Sequence, residues 1–377
     1  MDAEHDALLA LQWSAPDVQR RAAPLVVRRD PVVDVQTQER AEQLVRRSQA
    51  ATRSRSTRQQ PGQGDGIGLW DMTDPAAPRR VATLQNPDTG GANIVDLTVS
   101  ADGTLLASAD FNGTVHLWKV GDRTDPRFVG RLLTGTSVFT SVALSPDASA
   151  LAVLGSTLRV WDDSAPSTPR PISSVSGVED AGDISFGPDG RRLLIPKGPE
   201  GGRFGPRAGV SLWDLGAGEK GIVPLGNGTP VVGPAHSAFG PDGGLAASDE
   251  SSVSGTAVLL WNVKGSRKPV EVGRITPEAG HEFAVDDLSF HPRGTLLAGG
   301  GDNGTAWLWS VADPTRPHLA GALDGSLGPV TDTVFSPDGR TLLASSKQTI
   351  YVWDLGDYPA IAKDTLGMAY VSSIQPD

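Results

Sequence analysis

Between Val330 and Leu355 the chain reads VTDTVFSPDGRTLLASSKQTIYVWDL, and its apolar positions fall into three short runs separated by two turns. Val330 to Phe335 alternates apolar with polar residues, the period-two signature of a strand with one buried face. Ser336-Pro337-Asp338-Gly339 predicts a tight turn: proline presets φ at the second position and glycine accepts the conformation that follows. Thr341 to Ser345 predicts a second strand, Lys347-Gln348 a second turn, and Thr349 to Trp353 a third strand ending in Trp-Asp. A unit this small cannot cover its own apolar faces, so the pattern requires neighbours of the same kind.

The neighbours are in the sequence. The turn returns at Ser100-Ala101-Asp102-Gly103, Ser145-Pro146-Asp147-Ala148, Gly187-Pro188-Asp189-Gly190, Gly240-Pro241-Asp242-Gly243 and His291-Pro292-Arg293-Gly294. The closing tryptophan returns as Trp70, Trp118, Trp161, Trp213, Trp261 and Trp309 ahead of Trp353, with steps of 48, 43, 52, 48, 48 and 44 residues. Three or four short strands at a period of this length mark a radial propeller, in which each blade buries the faces of the next.

In spacing, turn and terminal tryptophan taken together, residues 62–377 resemble the WD-40 (Trp-Asp) repeat β-propellers. The resemblance implies an all-β, seven-bladed ring that acts as a non-catalytic scaffold presenting its top face to a protein or peptide partner. Linkers such as Thr73 to Arg80 (TDPAAPRR) are similar in style to WD-repeat regions of high-GC bacterial signalling proteins. A second implied function is therefore the sensor portion of a STAND-type signalling or defence protein whose catalytic domain lies outside this chain. A third is a propeller hydrolase with a site in the central channel. The family also fixes its blades with a His–Asp–Ser/Thr–Trp network. Here the one Gly-His pair, Gly280-His281, implies contacts to Asp302 and Trp309, while the second strand of that blade, Leu297-Ala298-Gly299-Gly300, lacks the hydroxyl.

The two ends of the chain shape the expected ring. Gly66 to Trp70 reads as a third strand and Arg80 to Leu84 as an outer strand, with no turn motif before them. After an outer strand expected at Ile361 to Leu366, Ala369 to Asp377 reads as a first strand running into a Pro-Asp turn. The expectation is six whole blades plus a seventh composite of N- and C-terminal strands. Its second strand comes from Pro24 to Val35, or the blade is incomplete, or the coding sequence is cut short. Residues 1–61 are otherwise expected to be a partly helical or disordered extension of low order.

Composition narrows the function. The net charge is −11 and the pI about 5.0, which argues against a duplex DNA binder with a basic face. Residues 1–60 hold ten Lys/Arg against eight Asp/Glu, so the acidity belongs to the propeller span. The arginine-bearing run from Arg46 to Arg58 is expected to be a solvated linker rather than an RNA contact. Without cysteine there are no disulfides, Cys–zinc sites or thiol catalysis. No apolar run reaches membrane-spanning length. The acidic start, Met1-Asp2-Ala3-Glu4, lacks the basic end and apolar core of a signal peptide. The expected location is the cytoplasm, with no membrane partner.

The chemistry-bearing residues point the same way. No phosphate loop, nucleophile elbow or His-Glu-x-x-His occurs. His281, Glu282, Asp286, Asp287 and His291 do not form a metal cluster, since a strand of about seven residues separates the two histidines by ~20 Å. Asn112, Asn227 and Asn303 match glycosylation acceptors, two of them in hairpins where Asn-Gly is the favoured turn. No cofactor, metal or catalytic residue is expected. The expected protein-binding set lies on the top face. Lys197, Arg203, Phe204 and Arg207 stand on one long loop. Asp249 and Glu250 stand on the acidic loop Asp249 to Gly255 beside it. Phe111, Phe139, Phe283, Lys347 and Gln348 edge the same face. Such a surface suits a peptide with both charge signs.

Overall fold

The computed structural model describes residues 8–9, 25–29, 66–72, 79–85, 94–110, 113–122, 125–134, 141–176, 178, 182–196, 207–208, 210–216, 222–228, 230–231, 236–252, 255–265, 268–276, 285–301, 303–323, 328–346, 349–355 and 369–374. Among the described residues every regular element is a strand.

Seven four-stranded antiparallel sheets follow one another. The first holds β1 (Leu8–Leu9), β2 (Leu25–Arg29), β3 (Gly66–Asp71) and β4 (Arg79–Gln85). The second holds β5 (Ile94–Val99), β6 (Leu105–Asp110), β7 (Thr114–Lys119) and β8 (Arg127–Leu133). The third holds β9 (Ser141–Leu144), β10 (Ala150–Leu154), β11 (Thr157–Asp162) and β12 (Arg170–Ser176). The fourth is built from β13 (Ser185–Phe186), β14 (Arg192–Pro196), β16 (Val210–Asp214) and β17 (Val223–Asn227), and β15 (Arg207–Ala208) with β18 (Pro230–Val231) forms a separate two-stranded ribbon beside it. The fifth holds β19 (Ser237–Phe239), β20 (Leu245–Ser252), β21 (Gly255–Asn262) and β22 (Val270–Ile275). The sixth holds β23 (Val285–Phe290), β24 (Leu296–Gly301), β25 (Ala306–Ser310) and β26 (His318–Leu323). The seventh holds β27 (Asp332–Phe335), β28 (Thr341–Ser346), β29 (Thr349–Asp354) and β30 (Ala369–Ile374).

The sheets are blades of a closed ring. Their first strands touch in cyclic order, β1 to β5, β9, β13, β19, β23 and β27, and β27 touches β1 again. Seven apolar clusters fill the seven seams, and each contains one motif tryptophan set against the preceding blade. Trp118 packs on Ile67 and Leu69, Trp161 on Leu117, Trp213 on Leu158, Trp261 on Leu212, Trp309 on Val258 and Trp353 on Leu308. The seventh seam joins Trp70 and Met72 of the first blade to Leu343, Ile350 and Val352 of the last. The expected spokes are therefore present, and they shut the ring.

The composite blade is corrected. β30 is the fourth strand of the last blade, with Trp353 opposite Tyr370 and Val352 opposite Ser372. The first blade takes its second strand from Leu25–Arg29, with Val26 opposite Trp70, and its first from Leu8–Leu9. Of the alternatives weighed for that second strand, Pro24 to Val35 is the one used, and strands before residue 62 belong to the ring. The misreading has a physical cause. Outer strands and inner strands carry the same period-two alternation, and Pro376-Asp377 imitates the repeat's turn. The outer strand expected at Ile361 to Leu366 lies outside the described residues. Closure here rests on face-to-face packing between the end blades, not on a shared sheet.

Two local devices recur. In every blade the ladder between third and fourth strands slips just before the tryptophan, at Leu69/Trp70, Leu117/Trp118, Val160/Trp161, Leu212/Trp213, Leu260/Trp261, Leu308/Trp309 and Val352/Trp353. Such a bulge sharpens the twist of the outer strand. Opposite the residue before each slip the outer strand carries a small residue: Ala82, Gly130, Ser173, Gly226, Gly273, Gly321 and Ser372. A Cβ at Gly130 would come within 2.5 Å of the Pro166 carbonyl oxygen, and one at Gly273 would collide with that of Pro314. The proline-bearing linker of the next blade lies over this strip.

Candidate interaction surface

Antiparallel order sorts the connections. The turns between first and second strands, together with the linkers after each tryptophan, gather at one end of the ring. The hairpins between second and third strands and the inter-blade linkers gather at the other.

The turn end is built as expected. In the second blade Ser100 Oγ donates to Asp102 Oδ1 at 2.5 Å and accepts from the main-chain N of Leu105 at 2.9 Å. The same bonds recur around Ser145–Asp147 and Ser336–Asp338. Glycine closes most of these turns with φ between 66° and 72°, and Ala148 alone does so with a side chain, at φ 55°. His291 is a core staple rather than a ligand: it is 1% exposed, accepts Arg293 N at Nδ1 (3.0 Å), and sits 3.2 Å through Nε2 from the Gly339 carbonyl of the next blade.

The first strands bring together a set of side chains that the sequence reading does not single out. Counted four residues before each turn, the positions are Asp96, Ser141, Asp183, His236, Asp287 and Asp332. They lace blade to blade. Asp96 Oδ2 accepts Val142 N at 2.7 Å, and Asp287 Oδ2 accepts Thr333 N at 2.7 Å and Thr333 Oγ1 at 3.0 Å. Ile184 N donates to Ser141 Oγ at 3.2 Å. Nε2 of His236 lies 3.8 Å from Asp183 Oδ2, and the main-chain N of His236 donates to Asp249 Oδ1 at 2.7 Å. Burial raises the Asp96 carboxyl to about 8, with the Asp183 charge adding and the main-chain donors opposing. Burial also raises Asp287 against its Thr333 bonds. Asp183 shifts upward in the same direction, opposed by His236, although half its side chain still reaches solvent.

A channel hydrolase would need carboxylates and histidine at the first strands of the blades, and those positions carry them. Asp96 and Asp287, however, are already engaged by amides of the adjacent blade. Among the described residues no group of three His, Cys, Asp or Glu could hold a metal ion.

The expected binding set fares unevenly. Lys197, Arg203, Phe204, Phe111, Phe139, Phe283, Lys347 and Gln348 lie outside the described residues, as do His281 and Asp302 of the expected network. Arg207 begins the ribbon strand β15, opposite Val231 of β18. The stretch expected as an acidic loop is a long hairpin instead: β20 runs through Ser252, which pairs with Gly255. Asp249 is 3% exposed and turned to His236, and Glu250 is ion-paired with Arg274. The indole–hydroxyl bond occurs in the second and fifth blades, where Trp118 Nε1 donates to Ser108 Oγ at 3.1 Å and Trp261 Nε1 to Ser248 Oγ at 3.0 Å. In the sixth blade Gly299 takes the serine's place, and a Cβ there would meet the Trp309 ring at 2.7 Å.

Three stretches, residues 79–119, 274–310 and 316–354, match the family model described as WD domain, G-beta repeat. The chain contains WD repeats. The matched stretches run from β4 to β7, from the end of β22 to β25, and from β26 to β29. Guanine nucleotide-binding protein subunit beta of Arabidopsis thaliana is 30% identical over 155 residues, 38% of this chain and 37% of that one. Small ribosomal subunit protein RACK1 of Glycine max is 36% identical over 77 residues, 20% of this chain and 22% of that one. Protein LST8 homolog of Drosophila melanogaster is 24% identical over 263 residues, 67% of this chain and 76% of that one. The match thus spans well under half of the first two relatives and three quarters of the third. Among solved structures, one titled Structure of U3-55K superposes with a TM-score of 0.58 at 16% identity, over 75% of this chain and 82% of that one. At that identity the likeness concerns the fold.

Proposed function

We propose that this propeller is a non-catalytic protein-binding module whose contact face is the hairpin end of the ring, centred on the fourth blade. The observation that carries the reading is the β15–β18 ribbon. It ties the connection between β14 and β16 to the linker leaving β17, so the longest insertion is anchored at Arg207–Ala208 beside a rigid blade. A segment tethered beside a blade loses less freedom on binding than a free one. Its sequence, Lys197 to Gly209, is basic with one aromatic residue. With Asp249 turned inward and Glu250 already paired, the partner is an acidic segment rather than one of mixed charge. WD-repeat relatives such as the G-protein beta subunit and RACK1 are interaction scaffolds, in keeping with this reading. Comparing proteins captured by the intact chain with those captured by an Arg203→Glu, Phe204→Ala, Arg207→Glu variant tests it. Loss of acidic partners from the variant supports the proposal, and identical partner sets sink it.

A second reading takes the propeller as the sensing part of a larger signalling protein. It is favoured by a 71-residue match, 39% identical, to Apoptotic protease-activating factor 1 of Homo sapiens, where the matched repeats occupy 6% of that chain. An adjoining coding sequence with a phosphate loop would separate it from the first.

A further inference from the structure

The second residue after each motif tryptophan is a seam position. It is Met72, Val120, Leu215, Val263, Val311 and Leu355 in six blades, all packed against apolar neighbours. In the third blade it is Asp163. The backbone there is unchanged: Asp163 N donates to the Ser149 carbonyl at 2.8 Å, as Val263 N does to Gly244 and Val311 N to Thr295. The side chain is 0% exposed, and neither carboxylate oxygen has a hydrogen-bond partner. Burial, and after it the charge of Asp162, raises its carboxyl to about 7. A buried carboxylate without a donor is costly, and in native proteins such a group calls for an explanation.

Asp163 belongs to the wall of a hollow of about 790 Å³ at the turn end, between the second and third blades. Five aspartates line it, Asp102, Asp122, Asp125, Asp147 and Asp163, against Lys119 and Arg127. Arg127 is already paired with Asp125. Burial opposes ionisation of Asp102 and Asp147, but hydrogen bonds from Ser100 and Thr104, and from Ser145 and Ser149, outweigh it and hold both carboxyls below the usual range. The ring supplies its own control. The same cleft between the fifth and sixth blades holds about 490 Å³, has Val311 at the Asp163 position, and presents Asp242 with Lys264 and Arg293. One cleft of this architecture is therefore acidic with an unsatisfied carboxylate at its base, and its sister is mildly basic and apolar there.

We propose that the cleft between the second and third blades binds a cationic side chain of a partner protein, an arginine whose guanidinium displaces the cleft wall over Asp163 and pairs with both its oxygens. A planar guanidinium fork matches a carboxylate in two parallel bonds, and a hollow of this size accommodates a long side chain with its flanking backbone. Paired this way, Asp163 ionises and acquires the donors it lacks. The site lies at the opposite end of the ring from the β15–β18 ribbon, so either surface can fail without the other.

The test is amide NMR of the labelled full chain titrated with acetyl-Gly-Arg-Gly-amide, with the citrulline peptide and calcium chloride as separate arms. The expected result is saturable shifts at Ser149 and Ser164 with the arginine peptide. Asp163→Val, which installs the residue type of the sister blades, and Asp163→Asn, which keeps the shape, should each weaken binding by about 30-fold, or ~2 kcal/mol. No shift in the wild type, equal binding of citrulline, or undiminished binding by both variants overturns the proposal. Shifts with calcium at lower concentration than with the peptide also overturn it, in favour of a metal site.

Discussion

The tryptophans offer a matched pair of perturbations. Trp261 is 0% exposed and its Nε1 donates to Ser248 Oγ, itself 0% exposed. Trp213 occupies the equivalent seam at 9% exposure, but its Nε1 is buried without a partner. Replacing either with phenylalanine removes a similar part of the ring system, at roughly 1–2 kcal/mol of lost burial and cavity. The polar parts then diverge. At Trp213 the change removes an unsatisfied N–H whose desolvation costs ~1–3 kcal/mol, so Trp213→Phe should fall between about 2 kcal/mol more stable and about 1 kcal/mol less stable than wild type. At Trp261 it leaves Ser248 buried without its donor, adding ~1–3 kcal/mol, so Trp261→Phe should cost about 2–5 kcal/mol. Trp118→Phe should follow Trp261, through Ser108. Urea unfolding with the denaturant slope held as a check supplies the numbers, and hydrogen exchange at the two seams shows whether the loss is local. In a double-mutant cycle, Trp261→Phe with Ser248→Ala should recover part of the single-mutant losses. Equal costs for Trp213→Phe and Trp261→Phe would refute the reasoning, leaving buried area alone in charge of the spokes.

Other outcomes follow from the same geometry. Gly273→Ala should destabilise by about 3 kcal/mol or more, because the Pro314 carbonyl leaves no room for a Cβ, whereas Ser173→Ala on the same strip should cost only about 1 kcal/mol, through the lost acceptor of Ile222 N; thermal unfolding separates them. Ala148→Gly should stabilise by roughly 0.5–1 kcal/mol, since φ 55° suits glycine and strains alanine, as a urea midpoint would show. For Asp163 the folded carboxyl, near 7, lies above its unfolded value near 3.9. Its contribution is therefore most favourable below pH ~4 and declines as pH rises to ~7, by at most about 1.4 kcal/mol per pH unit. The charges around it are Asp162 and the cleft residues Asp102, Asp122, Asp125, Asp147, Lys119 and Arg127. Asp163→Val should remove that slope from a stability–pH series between pH 4 and 7, and an unchanged slope would show that the group titrates normally.

What the linear pattern discloses is set by how far each position depends on its own strand. Turns and tryptophans do: Pro337, Gly339 and Trp353 define local conformation or fill a seam by bulk alone, so seven blades follow from their spacing. Outer strands do not. β4 and β26 are half-exposed along most of their length, so AYVSSI at the end of the chain reads equally well as an inner strand until its partner is known. DESS reads as loop by polarity, yet pairing with β21 keeps it in a strand and turns Asp249 inward. The axial set is hidden differently. Asp96, Asp183, His236, Asp287 and Asp332 stand tens of residues apart and become a ring only when each blade is aligned on its turn. Asp163 yields to the same alignment, taken from the tryptophan: among Met72, Val120, Leu215, Val263, Val311 and Leu355 it alone is charged. In a repeat protein the common residues specify the ring, because each must satisfy the same seam. A departure from them that the ring itself does not require, such as a buried carboxylate without a donor, is where a contact from outside the chain has physical room to act.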